Sequence, residues 1–321
     1  MKILITGAAG HLGSALARWI RQHHPAVQIT GVDNLSTGFA ENVPAGVDFH
    51  QADVRAWYWP ADPFDVVFHL AAYACETRSA FVRRHTIRNT VEATAAVINA
   101  GINHRCGRLV FTSSIAAYGR APVPFREDLP CEPIDPYGVY KLASERDIRI
   151  ATEQHGLAHC IVRPGNVYGP GQSLWARHRN VLGLWMRASM EGKPLAVYGD
   201  GQQKRGFTFI DDILSPLWKA GTEPAAENRT FNLGSRWHWT VQHAAELTRR
   251  IIGATGIEHL PPRHEVRDAY SDSRRARDVL GFPQLETEFE DGVKAMWTWA
   301  QDAWQRFPER RVERLPMVEV A

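Results

Sequence analysis

Along the first half of the chain, short apolar runs alternate with stretches whose apolar residues recur every three or four positions. Lys2–Thr6 is an apolar run that leads into Gly7-Ala8-Ala9-Gly10-His11-Leu12-Gly13, after which Leu12, Leu16, Trp19 and Ile20 fall at helical spacing. Residues 27–32, 49–54, 64–70, 108–112 and 158–162 read as further strands, and residues 78–100 and 136–155 as helices. Parallel neighbours in a sheet need a crossover, which a helix supplies. The alternation therefore predicts an α/β fold with a Rossmann-type doubly wound parallel sheet.

The pattern changes at Arg163-Pro164-Gly165-Asn166-Val167-Tyr168-Gly169-Pro170, where prolines and glycines crowd together and a boundary between lobes is expected. Beyond it, residues 180–191, 240–252, 273–280 and 289–304 read as helices and residues 195–197, 207–210 and 230–234 as strands. The division expected is 1–165 for a dinucleotide-binding lobe, with 207–234 returning to it, and 166–321 for a smaller C-terminal substrate-binding lobe. Trp297, Trp299 and Trp304 read as packing residues, and residues 309–321 as an adaptable terminus.

Composition narrows the function classes. The chain has 321 residues, 44% hydrophobic and 22% charged, with a net charge of +2, so no nucleic-acid partner is expected. Arg274, Arg275 and Arg277 read as solvated helix surface. No apolar run approaches membrane-spanning length, and Lys2–Thr6 passes straight into glycine without room for a signal peptide. A cytoplasmic protein without a membrane partner is the expectation. Cys75, Cys106, Cys131 and Cys160 lack metal-type spacing, which suggests free thiols and no metal.

The candidate chemistry begins at the glycine turn. A helix N-terminus offers N–H groups and partial positive charge to a pyrophosphate, and Gly7, Gly10 and Gly13 let the backbone come close, with His11 and Leu12 between them. Asp33, twenty residues after Gly13, can accept from both ribose hydroxyls and repel a 2′-phosphate, favouring NAD over NADP. Asn34 and Ser36 share its turn, and Asp53 with Val54 falls where the adenine edge would lie. Leu70 leads into Ala71 and Ala72, small residues at a strand end that would let a cofactor come close or would simply pack. Tyr137 and Lys141, four apart on one helix, would face the same bound molecule, and a neighbouring ammonium favours the phenolate. Ser114 follows a strand end and could hand a proton on.

These segments in this order resemble an extended short-chain dehydrogenase/reductase of the NAD-dependent nucleotide-sugar epimerase/dehydratase family, close in pattern to UDP-glucose 4-epimerases. Ser113-Ser114 with Tyr118-Gly119, Pro136-Tyr137-Gly138 with Lys141, Asn166-Val167-Tyr168-Gly169-Pro170, Gly199-Asp200-Gly201 with Arg205, and Asn232-Leu233-Gly234 carry much of the resemblance. It implies Tyr137 as base, Lys141 on the nicotinamide ribose, Ser114 between sugar and tyrosine, and Pro164 against the cofactor. It also implies a nucleotide-sugar substrate whose diphosphate is held by Asn166, Asn180, Arg205 and Arg263, with Tyr198 beside the base. The turn at Arg263-His264-Glu265 is one residue shorter than the family's, so Arg267 competes with Arg263.

Two further departures bear on the reaction. Ala269 stands where some 4-epimerases carry a bulky residue, which suggests a roomier sugar pocket, and His11 replaces a common aromatic. Ile115 and Ala116 stand where sugar dehydratases carry an acidic pair. The expectation is therefore 4-epimerisation by transient oxidation at C4. The alternatives are another NAD-dependent change on a nucleotide sugar, or a non-catalytic dinucleotide-binding regulator. The resemblance also implies a homodimer through helices 78–100 and 136–155.

Overall fold

The computed structural model describes residues 1–175 and 180–311. In chain order the first strands are β1 (Lys2–Thr6), β2 (Gln28–Asp33), β3 (Asp48–Gln51), β4 (Val66–His69), β5 (Arg108–Thr112) and β6 (His159–Pro164). Then come β7 (Val167–Tyr168), β8 (Leu195–Tyr198), β9 (Lys204–Gly206), β10 (Thr208–Phe209), β11 (Arg229–Leu233), β12 (His238–Thr240) and β13 (Ile257–Leu260). The earlier helices are α1 (His11–His23), α2 (Glu76–Ser79), α3 (Arg83–Ile87), α4 (Ala93–Asn103) and α5 (Pro136–His155). The later ones are α6 (Val181–Met190), α7 (Ile210–Thr222), α8 (Val241–Ile252), α9 (Arg274–Leu280) and α10 (Phe289–Arg306).

Seven strands form one sheet in the order β11-β6-β5-β4-β1-β2-β3, every pair parallel. Chain order reverses between β1 and β4, and this topological switch opens a crevice at the carboxyl edge. Side chains alternate across a strand, so Ile3 and Ile5 pack on one face with Leu16, Ile20, Leu217 and Phe282, while Leu4 packs on the other with Val67, Phe111 and Ile148. Helices cover both faces, which is why the strands read as nearly unbroken apolar runs. A separate cluster around Tyr168, Trp185, Leu247, Phe289 and Met296 joins α6, α8 and α10.

The structure departs from the sequence pattern in places that border the crevice. Residues 78–100 do not form one helix: the chain turns helical at Glu76, breaks at Val82 (φ −135°, ψ 49°) and passes through a π-turn at Arg88–Glu92. Tertiary bonds override the local period there, since the Ser79 hydroxyl accepts the Tyr137 N–H and Thr94 bonds His69. The strand expected over 49–54 stops at Gln51, because Asp53 bends the chain by accepting the Arg55 N–H at 3.0 Å. Ile210 opens α7 instead of ending a strand. The pattern also missed β9, β12 and β13, short strands of little periodicity that form the antiparallel β9–β12 pair and the parallel partner of β8. Of the terminus, Pro308–Arg311 is a 3-10 turn in which Arg310 is buried, and residues 312–321 lie outside the described residues.

Candidate active site

The turn after β1 is shaped by backbone contacts that leave no room for side chains. Gly7 has φ +74°, and a Cβ there would stand 2.8 Å from the Ala71 nitrogen. At Gly13 a Cβ would stand 2.1 Å from the Gly7 carbonyl oxygen, so α1 can press onto the turn only with glycine at that position. No side chain caps α1 at Gly10, which leaves its first N–H groups directed at the cavity that Gly10, His11, Leu12 and Gly13 line. This cradle, and the carboxylate beyond it, fit a dinucleotide.

Asp33 closes β2 with its carboxylate accepting the N–H groups of Ala9 at 3.0 Å and Leu35 at 2.8 Å. Burial pushes its acid up, against those two bonds. Asn34 accepts the Ser36 N–H at 3.0 Å and donates to Asn89, so the ribose end of the cavity is a closed network of turns. Asp53 lines the same end but is occupied: Arg55 donates to both its oxygens, at 2.9 and 2.6 Å, and holds its acid down at about 2. Val54, Leu70, Ala71, Ala72 and Pro164 also line the cavity.

At the other side of the crevice, Asp135 caps α5 by accepting the Gly138 N–H at 3.0 Å, with Pro136 in the first turn. Tyr137 follows and is 7% exposed, at the cavity wall. Lys141, one turn on and 2% exposed, donates to the Thr112 carbonyl at 2.6 Å and sits 5.9 Å from the Tyr137 ring centre. Burial pushes its ammonium down to about 7, with Glu145 opposing. Glu145 is itself buried between Arg163 and the Ser113 hydroxyl, which bonds it at 2.5 Å. Ser114 Oγ accepts the Ala116 N–H at 3.1 Å, so its own proton is left to donate.

The substrate-side residues converge on the same cavity with different degrees of freedom. Asn180 lines it, but its amide caps α6 by accepting the Leu182 N–H at 3.1 Å and donates to the Val167 carbonyl at 2.8 Å. Its contribution is to set the N-terminus of α6 beside the cavity. Asn166, at φ +39°, donates to the Gly206 carbonyl at 3.0 Å. Arg205 pairs with Glu265 at 2.7 Å and donates to three backbone carbonyls, which fixes its guanidinium at the wall. Arg263 lies over the Tyr198 ring at 3.2 Å and lines the cavity. Arg267 is absent from the lining and offers only its carbonyl to Arg205, so of the two competing arginines Arg263 faces the cavity. Ala269 does not reach the cavity either; it packs with Ile115, Tyr118 and Phe125 and hence cannot widen the sugar pocket by direct contact.

Several lining residues were not anticipated. Glu76 and Thr77 enter because α2 starts earlier than the pattern implied, and an acid in the small-residue run after β4 was the available signal. Phe39 and Arg310 meet across the cavity, the guanidinium lying 3.8 Å from the ring, and no local pattern links positions so far apart. His11, unexplained as a substitution, sits with Nε2 3.2 Å from the Pro170 carbonyl oxygen and so joins the glycine turn to the start of the second half.

Residues 3–234 match the model of the NAD dependent epimerase/dehydratase family. The chain is 33% identical over 315 residues to UDP-glucose 4-epimerase of Mycolicibacterium smegmatis, covering 91% of this chain and 96% of that one. Among solved structures, UDP-glucose 4-epimerase of Thermotoga maritima with UDP-glucose superposes with a TM-score of 0.87 at 26% identity, covering 94% of this chain and 99% of the other. MoeE5 in complex with UDP-glucuronic acid and NAD superposes with a TM-score of 0.84 at 27% identity, covering 94% and 100%.

Proposed function

The chain belongs to the NAD dependent epimerase/dehydratase family, and from that premise we propose that it is a nucleotide-sugar 4-epimerase acting on a UDP-hexose. What supports the reading is that Tyr137, Lys141 and Ser114 line the same cavity as the glycine turn, Arg205 and Arg263. Bound NAD supplies an acceptor for the C4 hydrogen as hydride and a donor for its return to the opposite face. Gly7 and the uncapped start of α1 would hold its pyrophosphate, and Asp33 its adenosine ribose.

The protein's own residues handle the proton and the orientation. Tyr137 takes the proton of the C4 hydroxyl and later gives it back, the alcohol and the phenol exchanging one proton in each direction. Ser114, held by the Ala116 N–H, donates to the same sugar oxygen and keeps it beside the phenol. Lys141 contributes positive charge close to Tyr137, which favours its phenolate. The start of α6, set by Asn180, and the guanidinium groups of Arg205 and Arg263 grip the diphosphate, while Tyr198 meets the base. With the diphosphate as its tether, the sugar can leave its contact with Ser114, turn and present its other face.

Ile115 and Ala116 follow Ser114 in a short 3-10 turn and bring no acid to that wall, which favours inversion over elimination of water. We place the protein in the cytoplasm as a homodimer. An apolar stripe on α5, with Val139 and Ile150 exposed and Leu142 and Ala143 between them, supports that assembly. Incubating the purified protein with UDP-glucose, without added cofactor, tests the reading. UDP-galactose should form until both epimers are present, and Tyr137→Phe should lower the rate by about a hundredfold or more. Stoichiometric NADH without an epimer would overturn it.

A further inference from the structure

We propose that Glu76 sets the sugar specificity of the cavity, bonding a hydroxyl or amine of the hexose and turning away a sugar that carries a carboxylate at C6. This rests on the nucleotide-sugar reading above. Glu76 opens α2 and lines the cavity. One turn on, the Ser79 hydroxyl donates to the Glu76 carbonyl at 2.6 Å and accepts the Tyr137 N–H at 3.3 Å, which moors α2 to the head of α5. The charges that act on Glu76 are Asp135 and Glu265, which repel it, and Arg205, which attracts it. Asp135 stands two residues before Tyr137, and Arg205 with Glu265 stands at the opposite, diphosphate end.

A sugar tethered at Arg205 and presenting one hydroxyl to Tyr137 must fill the space between those groups, and Glu76 borders that space. Water reaches the carboxyl through the cavity, and among the described residues no side chain bonds it. Exposed to the cavity, the carboxylate can accept from the hydroxyls of a neutral sugar. Ionised, it is an anion near Asp135 and Glu265, and a hexuronate would bring a fourth carboxylate. Like charges brought together reject the wrong ligand, and the nearby Arg205 guanidinium is already paired with Glu265.

The test is calorimetric titration of the NAD-loaded parent and Glu76→Gln with UDP-glucose, UDP-glucuronate and UDP alone, near pH ~8.5 where Glu76 is ionised. Substitution should tighten UDP-glucuronate relative to UDP-glucose by about tenfold or more, with UDP alone unchanged within about twofold. An unchanged ratio overturns the proposal, as does a parent that binds both sugars equally or a variant that loses UDP. Turnover in the same samples is judged separately. A parent that discriminates as expected but leaves C4 uninverted supports the specificity role and overturns the epimerase reading. A dehydrated product made by the parent and not by Glu76→Gln overturns the specificity role by making Glu76 the acid of an elimination.

Discussion

At the scale of single residues, the site concentrates groups that the fold alone would not favour. Lys141 is an ammonium at 2% exposure, with its charge displaced to about 7 by burial. Between pH about 7 and 10.5 the unfolded chain holds a proton on this amine that the folded protein releases, so stability should rise with pH across that window. Lys141→Met should flatten the rise and raise the melting temperature at neutral pH by a few degrees, a gain on the order of a few kcal/mol at most, while epimerisation is lost. Thermal melts of parent and variant at several pH values check this. A variant less stable than its parent would mean that Lys141 supports the fold as well as the chemistry.

At the scale of elements, the glycine turn was legible in the sequence, whereas the Asp135 cap that starts α5 emerged only from the structure. Their spacing between an apolar strand and a helical pattern marked Gly7, Gly10 and Gly13, because close packing of a turn on a helix admits few residue types. Gly13→Ala should destabilise the protein by about 3 kcal/mol and abolish retention of NAD, since its Cβ would meet backbone and not a movable side chain. Denaturant melts and absorbance of the released cofactor would measure both. Other features were hidden because they depend on partners distant in sequence. The break in residues 78–100 follows from Ser79 meeting Tyr137, and the burial of Arg310 follows from Phe39 and Glu41. Arg263 and Arg267 looked alike in the sequence; only the β8–β13 and β9–β12 pairings decide which one faces the cavity.

At the scale of the whole molecule, the cavity is closed by contacts between distant parts of the chain. Arg310 pairs with Glu41 at 2.9 Å and stacks on Phe39 and Phe307, so the end of the described chain braces the loop that follows Asp33. Arg310→Ala should speed the loss of bound NAD by about tenfold with little change in fold, read by cofactor release on dilution and by circular dichroism. Replacing Val139 and Ile150 together with glutamate should give a folded monomer by light scattering if the α5 stripe is a subunit contact. The most direct measurement is the fate of the hydrogen at C4. UDP-glucose carrying deuterium there, incubated in ordinary water with the purified protein, should give UDP-galactose that retains the label at C4. Label lost to solvent would contradict direct transfer to and from a retained nicotinamide.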